Sequence, residues 1–522
     1  MVNVKQIVLA LLPALQSSQD DRNPVTSQST KSIAIVGGGT AGIAVLKHLL
    51  EIPPAEREGW NIVLFEQRRD VGGVWLPDLD APHPPKLPET PLYPLLRTNT
   101  PVPSMTYPGV PYPPGTPLYP RHTHIESYLR NVTRRFGLDP YVRRNHEVIR
   151  AAWIGDSSHG YWETTVRDRA SGDVVVGRFD HLVNTAGNYH YPRRPSWPGQ
   201  ESWLAANKTR RVVHSIFYRE PSEFTGENVL IVGSGASGRD TAIQVSDTAS
   251  QVYLSIRDNA TFVFLEGIPD SVKKVRGISN FTPDGVVLVG NNTAISVDTV
   301  LLGTGYHYLF PYLTAGGALN VDPAASSRTS KSRLTTNLRY IFPLYEHTLS
   351  LDPSYPLGSL SFIGLPQGIA NAPSDNALAI FVESVFRNSS GLPSREELLR
   401  RDQVREDELR KGGWDPYVVG HRLVDRSQFE YQDRVVDFAR TLLGAQGDGA
   451  KYVESWRREI STFDYLRRGW LHVEEIGQQD EWLQGVETEE QWVGLMRRLN
   501  EWQEAWEKAH NVPFVHDFEL YL

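Results

Sequence analysis

Two short stretches of this chain combine the residue types and the spacing that hold a dinucleotide diphosphate. Gly37-Gly38-Gly39-Thr40-Ala41-Gly42 follows the apolar run Ser32-Ile33-Ala34-Ile35-Val36, and Gly233-Ser234-Gly235-Ala236-Ser237-Gly238 follows Asn228-Val229-Leu230-Ile231-Val232. In each, the first glycine (Gly37, Gly233) permits a tight turn, and the second (Gly39, Gly235) lets the backbone approach a diphosphate. The third (Gly42, Gly238) lets the following helix lie close to the strand. Such a helix starts with unpaired N–H groups aimed at phosphate oxygens. A glycine turn alone is weak evidence, whereas strand, turn, helix, second strand and a polar terminal residue together are specific.

The terminal residues differ between the two motifs, and the difference carries chemistry. The strand Asn61-Ile62-Val63-Leu64-Phe65 ends at Glu66, whose carboxylate can accept hydrogen bonds from a ribose diol. The strand Gln251 to Ile256 ends instead at Arg257, a cation suited to the 2′-phosphate of NADP, with Ser255 able to add a hydroxyl contact. NADPH is therefore expected rather than NADH. Shortly after Glu66, Gly72-Gly73-Val74-Trp75 places Gly73 where backbone packs against the first cofactor and Trp75 near its ring system, although Trp75 could equally be a core aromatic. The chain has no cysteine, so it has no disulfide, no thiolate metal site and no cysteine-based redox centre. Two nucleotide sites without cysteine imply hydride transfer from NADPH to a flavin, with molecular oxygen as the expected electron acceptor.

The expected fold class is α/β, with two Rossmann-like dinucleotide-binding domains and a helical C-terminal extension. Residues 1–31 read as a signal-like segment and linker, 32–220 as the first part of the flavin domain, and 221–298 as an inserted NADPH domain. Residues 299–394 complete the flavin domain, and 395–522 form the extension. Helical patterns run from Ile43 to Leu50, from Arg239 towards Ser246, and from Asp375 to Phe386. Closely spaced prolines between Pro77 and Pro120 require a long irregular excursion of the kind that covers active sites. The tryptophans from Trp414 onward are expected to pack helices against the body.

At 522 residues the chain is long enough for more than one core, and its formal net charge of -8 opposes general attraction to nucleic acid or anionic lipid. No transmembrane segment is expected. The opening residues place Lys5 before an apolar run from Ile7 to Leu15, the layout of a short secretory signal. Sequons begin at Asn131, Asn207, Asn259, Asn280, Asn291 and Asn388, so passage through the endoplasmic reticulum and glycosylation are expectations set against a cytoplasmic location. His122 and His124 lack an acidic or cysteine partner to complete a metal set, and a solvated loop is expected there with no metal site.

With these motifs in hand, residues 32 to 395 resemble the flavin-containing monooxygenase family, in its fungal and plant branch. GGGTAG with FEQRRDVGGVW resembles the family's FAD site, GSGASG with YLSIR its NADPH site, and LLRTNTPVPSM its flavin-side loop. Phe179 to Gly187 resembles the strand leading out of the flavin domain, and Leu301 to Tyr306 the strand returning, which implies a cofactor-side place for Gly305. The resemblance implies that Asn99 sits beside the flavin ring as the leading catalytic residue, although Asn before Thr100-Pro101 also suits a simple turn. His214-Ser215-Ile216-Phe217-Tyr218 fits the family's identifying sequence, with His214 in a linker role, whereas Lys208 and Arg210 stand where the family has phenylalanine and glycine. Asp375-Asn376-Ala377 stands where the family commonly has Glu-Gln-Ala.

The implied reaction is NADPH reduction of FAD, oxygen addition at flavin C4a, and oxygen transfer to a nitrogen or sulfur centre of a small nucleophile. The branch resemblance implies a specialised-metabolism role in a fungus. Competing readings are a Baeyer–Villiger monooxygenase, an NADPH oxidase, and a nucleotide-binding or redox-sensing protein without turnover. A disulfide reductase is excluded by the absent cysteine pair. Substrate identity and oligomeric state are not legible.

Overall fold

The computed structural model describes residues 31–514 apart from 81, 258–266, 291–293, 329–331, 425–426 and 446–448. The signal-like segment and the sequons at Asn259 and Asn291 therefore lie outside the described residues. Two parallel sheets organise the chain. In the first, the strand Ser32–Val36 is central, flanked by Asn61–Phe65 and His181–Asn184. Val142–Arg143 extends it on one side, and Leu360–Phe362 with two short antiparallel strands extends it on the other. Both faces of the central strand are covered, which is why Ile33, Ala34 and Ile35 are all fully buried and why it reads as a continuous apolar run.

The two faces feed different cores. Ile33 and Ile35 pack with the helices Thr40–Glu51 and Asn371–Arg387, while Ala34 and Val36 pack with Val148, Trp162 and Phe179 of an antiparallel meander formed by His146–Gly155, Gly160–Asp168 and Val174–Phe179.

The second sheet differs from the expected 221–298 domain. Its strands run in the order Lys273–Val275, Gln251–Ser255, Asn228–Val232, Thr299–Leu302 and Arg211–His214, all parallel. Arg211–His214 and Thr299–Leu302 thus lie in this sheet and not in the flavin domain. The cause is burial: Leu230 and Ile231 are fully buried, and the strand beside them on that side is Thr299–Leu302. The polar loop at residues 220–223, which reads as a boundary, is instead a capped turn inside the domain.

The excursion between Pro77 and Pro120 is irregular, with one 3-10 turn at Val102–Met105. The expected solvated loop at His122 and His124 is replaced by the first turn of the helix His122–Arg135, in which His122 is buried and His124 exposed. Ile125, Tyr128, Leu129 and Val132 recur at helical spacing and turn that face inward. Among the described residues no helix is long and apolar enough to cross a membrane.

The C-terminal region is helical, from Arg395–Lys411 to Glu489–Ala509. It is more than an appendage. Trp470, Trp492, Leu495 and Leu499 belong to the same buried cluster as Ile33, Ile35 and Leu46. Trp470 is fully buried, so Trp470→Ala should cost about 3–5 kcal/mol of stability. Equilibrium denaturation in urea checks this, and a loss below about 1 kcal/mol, the size of a surface effect, would show that the last helices stand outside the core.

Candidate active site

Both glycine turns adopt the same geometry. Gly37 and Gly233 have φ of 113° and 106°, values that L side chains rarely adopt. A Cβ on Gly37 would stand 2.6 Å from the Thr185 carbonyl oxygen, and one on Gly233 2.6 Å from that of Gly303. A Cβ on Gly42 would fall 1.9 Å from the Gly37 oxygen, and one on Gly238 1.9 Å from the Gly233 oxygen. The helices Thr40–Glu51 and Ala236–Val245 therefore begin hard against their strands. A Cβ on Gly235 would meet no heavy atom within 4 Å, so that face is open for a diphosphate. Gly39 faces Gly73, whose φ is 54°, and a Cβ on Gly73 would lie 2.8 Å from the Gly39 Cα. The second glycine loop thus packs directly on the first.

Glu66 is buried, and its two oxygens accept from the backbone N–H groups of Gly38 at 2.6 Å and Arg68 at 2.7 Å. Burial pushes its carboxyl up, and the two backbone hydrogen bonds and the Arg68 charge oppose that. A carboxylate has roughly four acceptor positions, so two remain for a ribose diol. Arg68, which sequence reasoning passed over, is also buried. It donates to Gly73 O at 2.9 Å and Pro77 O at 3.0 Å, fastening the loop that carries Trp75. The run FEQRRD offered the only signal.

Trp75 and Asn99 meet at one cavity of about 140 Å³, lined also by Thr40, Met105, Tyr128 and residues 369–372. Asn99 is exposed at its edge. The helix that contributes residues 371–372 is Asn371–Arg387 and starts one turn earlier than the Asp375 start expected from sequence. Pro373 falls in its first turn, where a missing N–H costs nothing, so it does not mark a boundary. Asp375 consequently sits inside the helix, buried, with a hydrogen bond to the Thr40 side chain, and burial pushes its carboxyl up to about 7.

On the second site the two strand-end residues separate. Arg257 is exposed. Ser255 is buried, and its hydroxyl donates to Arg276 O at 3.1 Å. It ends its strand in register with Val232 and Val275, and Arg257 lies beyond the strand end. Arg193, also missed from sequence, lies near Arg257, Arg339 and Arg422, and burial together with these charges pushes it down to about 10. This concentration of positive charge suits a phosphate-rich ligand.

Gly305 has φ of 78°, and its carbonyl accepts from Arg193 N at 2.9 Å and from His214 Nε2 at 3.1 Å. It is a junction of the two crossovers between sheets. His214 Nδ1 accepts from Ile216 N at 3.1 Å, so both ring nitrogens are used and the imidazole is held neutral. Arg210, in the place of the family's glycine, donates to Trp203 O and Pro283 O and lies over the Trp203 ring, supplying that packing itself. Lys208 is exposed.

A family model described as flavin-binding monooxygenase-like matches residues 30–270. Flavin-containing monooxygenase FMO GS-OX-like 2 of Arabidopsis thaliana is 28% identical over 485 residues, covering 88% of this chain and 92% of its own. The structure of S-allyl-L-cysteine S-oxygenase from Allium sativum superposes with a TM-score of 0.66 at 25% identity, covering 91% of this chain and 99% of that one. Tmm from Pelagibacter sp. strain HTCC7211 shares the fold, with a TM-score of 0.61 at 19% identity over 86% and 90% of the two chains. The family model spans a little under half of the chain and the relatives named align at 28% identity or less, so the chain is similar to flavin-containing monooxygenases across both glycine motifs.

The shared fold carries two Rossmann domains, and the chain reads as a flavin-dependent enzyme that uses FAD and NADPH. The residues fit these groups: two glycine cradles that any side chain would fill, one carboxylate with acceptor positions left, and one cationic cluster.

His214 of this monooxygenase also makes a pH-dependent contribution. Burial, with the charges of Arg194 and Arg193, lowers it from the usual 6.5 to about 4. Between those values the unfolded chain binds a proton that the folded chain refuses, so the contribution is complete above pH 6.5 and is lost as pH falls towards 4. His214→Asn removes this dependence. The stability advantage of the native chain over the variant should shrink by about 3 kcal/mol across that window in denaturation series at stepped pH, and an advantage independent of pH would refute the neutral imidazole.

Proposed function

We propose that this monooxygenase transfers oxygen from O2 to a sulfur or nitrogen centre of a small nucleophilic molecule, with NADPH as reductant. In this reading Gly37, Gly39, Gly42 and the start of the Thr40 helix would hold the FAD diphosphate, Glu66 its ribose, and Gly73, Trp75 and Asn99 its ring. Gly233, Gly235 and Gly238 would hold the NADPH diphosphate, with Arg257 for the 2′-phosphate and Gly305 on the cofactor side. Bound FAD supplies the hydride-accepting and oxygen-transferring chemistry.

The observation that carries the proposal is the cavity where Thr40, Trp75 and Asn99 converge from separate segments, against the first turn of the Asn371 helix. Its walls combine the apolar Trp75, Met105, Ile125 and Leu129 with the polar Thr40, Asn99 and Asn371. The Asn99 amide can both donate and accept there, which suits holding a carboxamide or an oxygen-bearing ring. A sulfur substrate is favoured because an S-oxygenase, that of Allium sativum, is a neighbour over nearly the whole chain. The setting suggested by the plant relatives is specialised metabolism, with the location inside or outside the secretory pathway open to the N-terminal segment.

Mixing the purified holoprotein with NADPH without oxygen should bleach the flavin, and adding oxygen with a simple thioether should then yield one sulfoxide per NADPH consumed. A flavin left unbleached, or a yield of hydrogen peroxide alone with both thioethers and amines, overturns the proposal. Arg257→Ala should raise KM for NADPH by about 10–100-fold while leaving kcat and the KM for NADH nearly unchanged, since one charge-assisted phosphate contact is removed. Steady-state kinetics with the two nucleotides decides it, and an equal loss for both would move the 2′-phosphate elsewhere.

A further inference from the structure

We infer that Glu474, on the C-terminal helix Leu466–Glu475, is a positioning residue for the Asn99 turn and acts through Arg97. The inference rests on the place given to Asn99 above and goes beyond it. Arg97 stands two residues before Asn99. Its Nη1 donates to Glu474 Oε2 at 2.7 Å and its Nη2 to Glu474 Oε1 at 2.5 Å, a two-point fork. Its Nε donates to Tyr119 O at 3.0 Å, so all three guanidinium nitrogens are committed. Glu474 is held in turn, because Oε1 also accepts from Nε1 of the fully buried Trp470 at 2.8 Å. The chain from core to turn is therefore Trp470, Glu474, Arg97, Asn99.

The far side of the turn is tied to the same group of helices. Arg457, buried on the helix Ser455–Ile460, donates to Pro103 O at 3.0 Å and to Thr106 Oγ1 at 2.8 Å. Among the described residues Asn99 itself has no hydrogen bond, so its position follows from what grips the backbone on either side. Arg97 and Glu474 retain 37% and 24% of their side-chain exposure. An ion pair so open to water adds little to stability, yet a two-point fork fixes direction. That combination sets orientation without carrying the fold.

The test uses the full-length holoprotein and the variants Glu474→Gln and Asn99→Ala. Three quantities are read: amide hydrogen exchange across residues 98–106, flavin content with melting temperature, and the share of NADPH equivalents lost as hydrogen peroxide. Glu474→Gln should speed exchange across 98–106 by about tenfold or more, while flavin content and melting temperature hold. The peroxide share should rise several-fold, as expected when a positioned group drifts by a fraction of an ångström to an ångström.

Unchanged exchange overturns the inference. So does a parallel fall in melting temperature and flavin content, which would make the pair a support of the fold. If Asn99→Ala raises the peroxide share and Glu474→Gln does not, the clasp has no positioning role. If Asn99→Ala leaves that share unchanged while Glu474→Gln still speeds exchange, the role of Asn99 fails and the mechanical coupling stands.

Discussion

The structure depends on one close approach made twice: the α-carbon of a third glycine against the carbonyl oxygen of the first. At Gly42 and at Gly238 even a methyl group would fall 1.9 Å from that oxygen. The approach lets each helix start at the strand end with its first amides aimed along the sheet axis, where a diphosphate gains both hydrogen bonds and the helix dipole. Everything else in the catalytic region is placed relative to these two helix starts. Gly73 packs on Gly39, Glu66 accepts from Gly38, and Thr40 lines the cavity. A displacement of the first helix by a methyl's width would disturb all three together.

Those two turns were legible in the sequence because their requirement is local. A glycine at each fixed position, a β-branched run before it and a terminal Glu or Arg after the next strand can all be read from neighbours in the chain. The two-domain α/β fold followed from them. Features set by distant segments were not legible. Sheet membership of Arg211–His214 and Thr299–Leu302 depends on which strand covers Leu230 and Ile231, and that partner lies about seventy residues away in sequence. Ser255 and Arg257 look equivalent as polar strand-end residues, but Ser255 ends the strand buried with its hydroxyl on Arg276 O, and Arg257 lies beyond the strand end. The helix read as starting at Asp375 begins at Asn371, since its first turn tolerates Pro373.

The same distinction explains why the C-terminal helices read as an extension. Their charge-rich composition, as in Arg395–Lys411, describes the solvent face, whereas their tryptophans and leucines join the core beneath the first sheet. Sequence pattern showed that these helices had an apolar side but not what that side would cover. In the fold they press against the proline-rich excursion that carries Asn99, a segment that cannot order itself through regular backbone hydrogen bonds. A long loop at a reactive centre needs an outside frame, and the helices after Arg395 provide one.

The two domains meet through polar groups around a small apolar contact in which Tyr93 of the excursion joins the buried cluster of the second sheet. Arg219 pairs with Asp78, which Arg68 also contacts, and the Tyr93 hydroxyl donates to Asp240 on the helix of the second glycine turn. Tyr218 stacks edge-on to Tyr93 and donates to Gln244 one turn along the same helix. The flavin side, by contrast, is locked between buried apolar helices. A polar joint can re-form its hydrogen bonds after a small rotation, and a close-packed core cannot do so without opening voids. The division suits the proposed chemistry: the residues that would hold the flavin are fixed by close packing, while a largely polar joint would let the residues that would hold the reductant adjust relative to them.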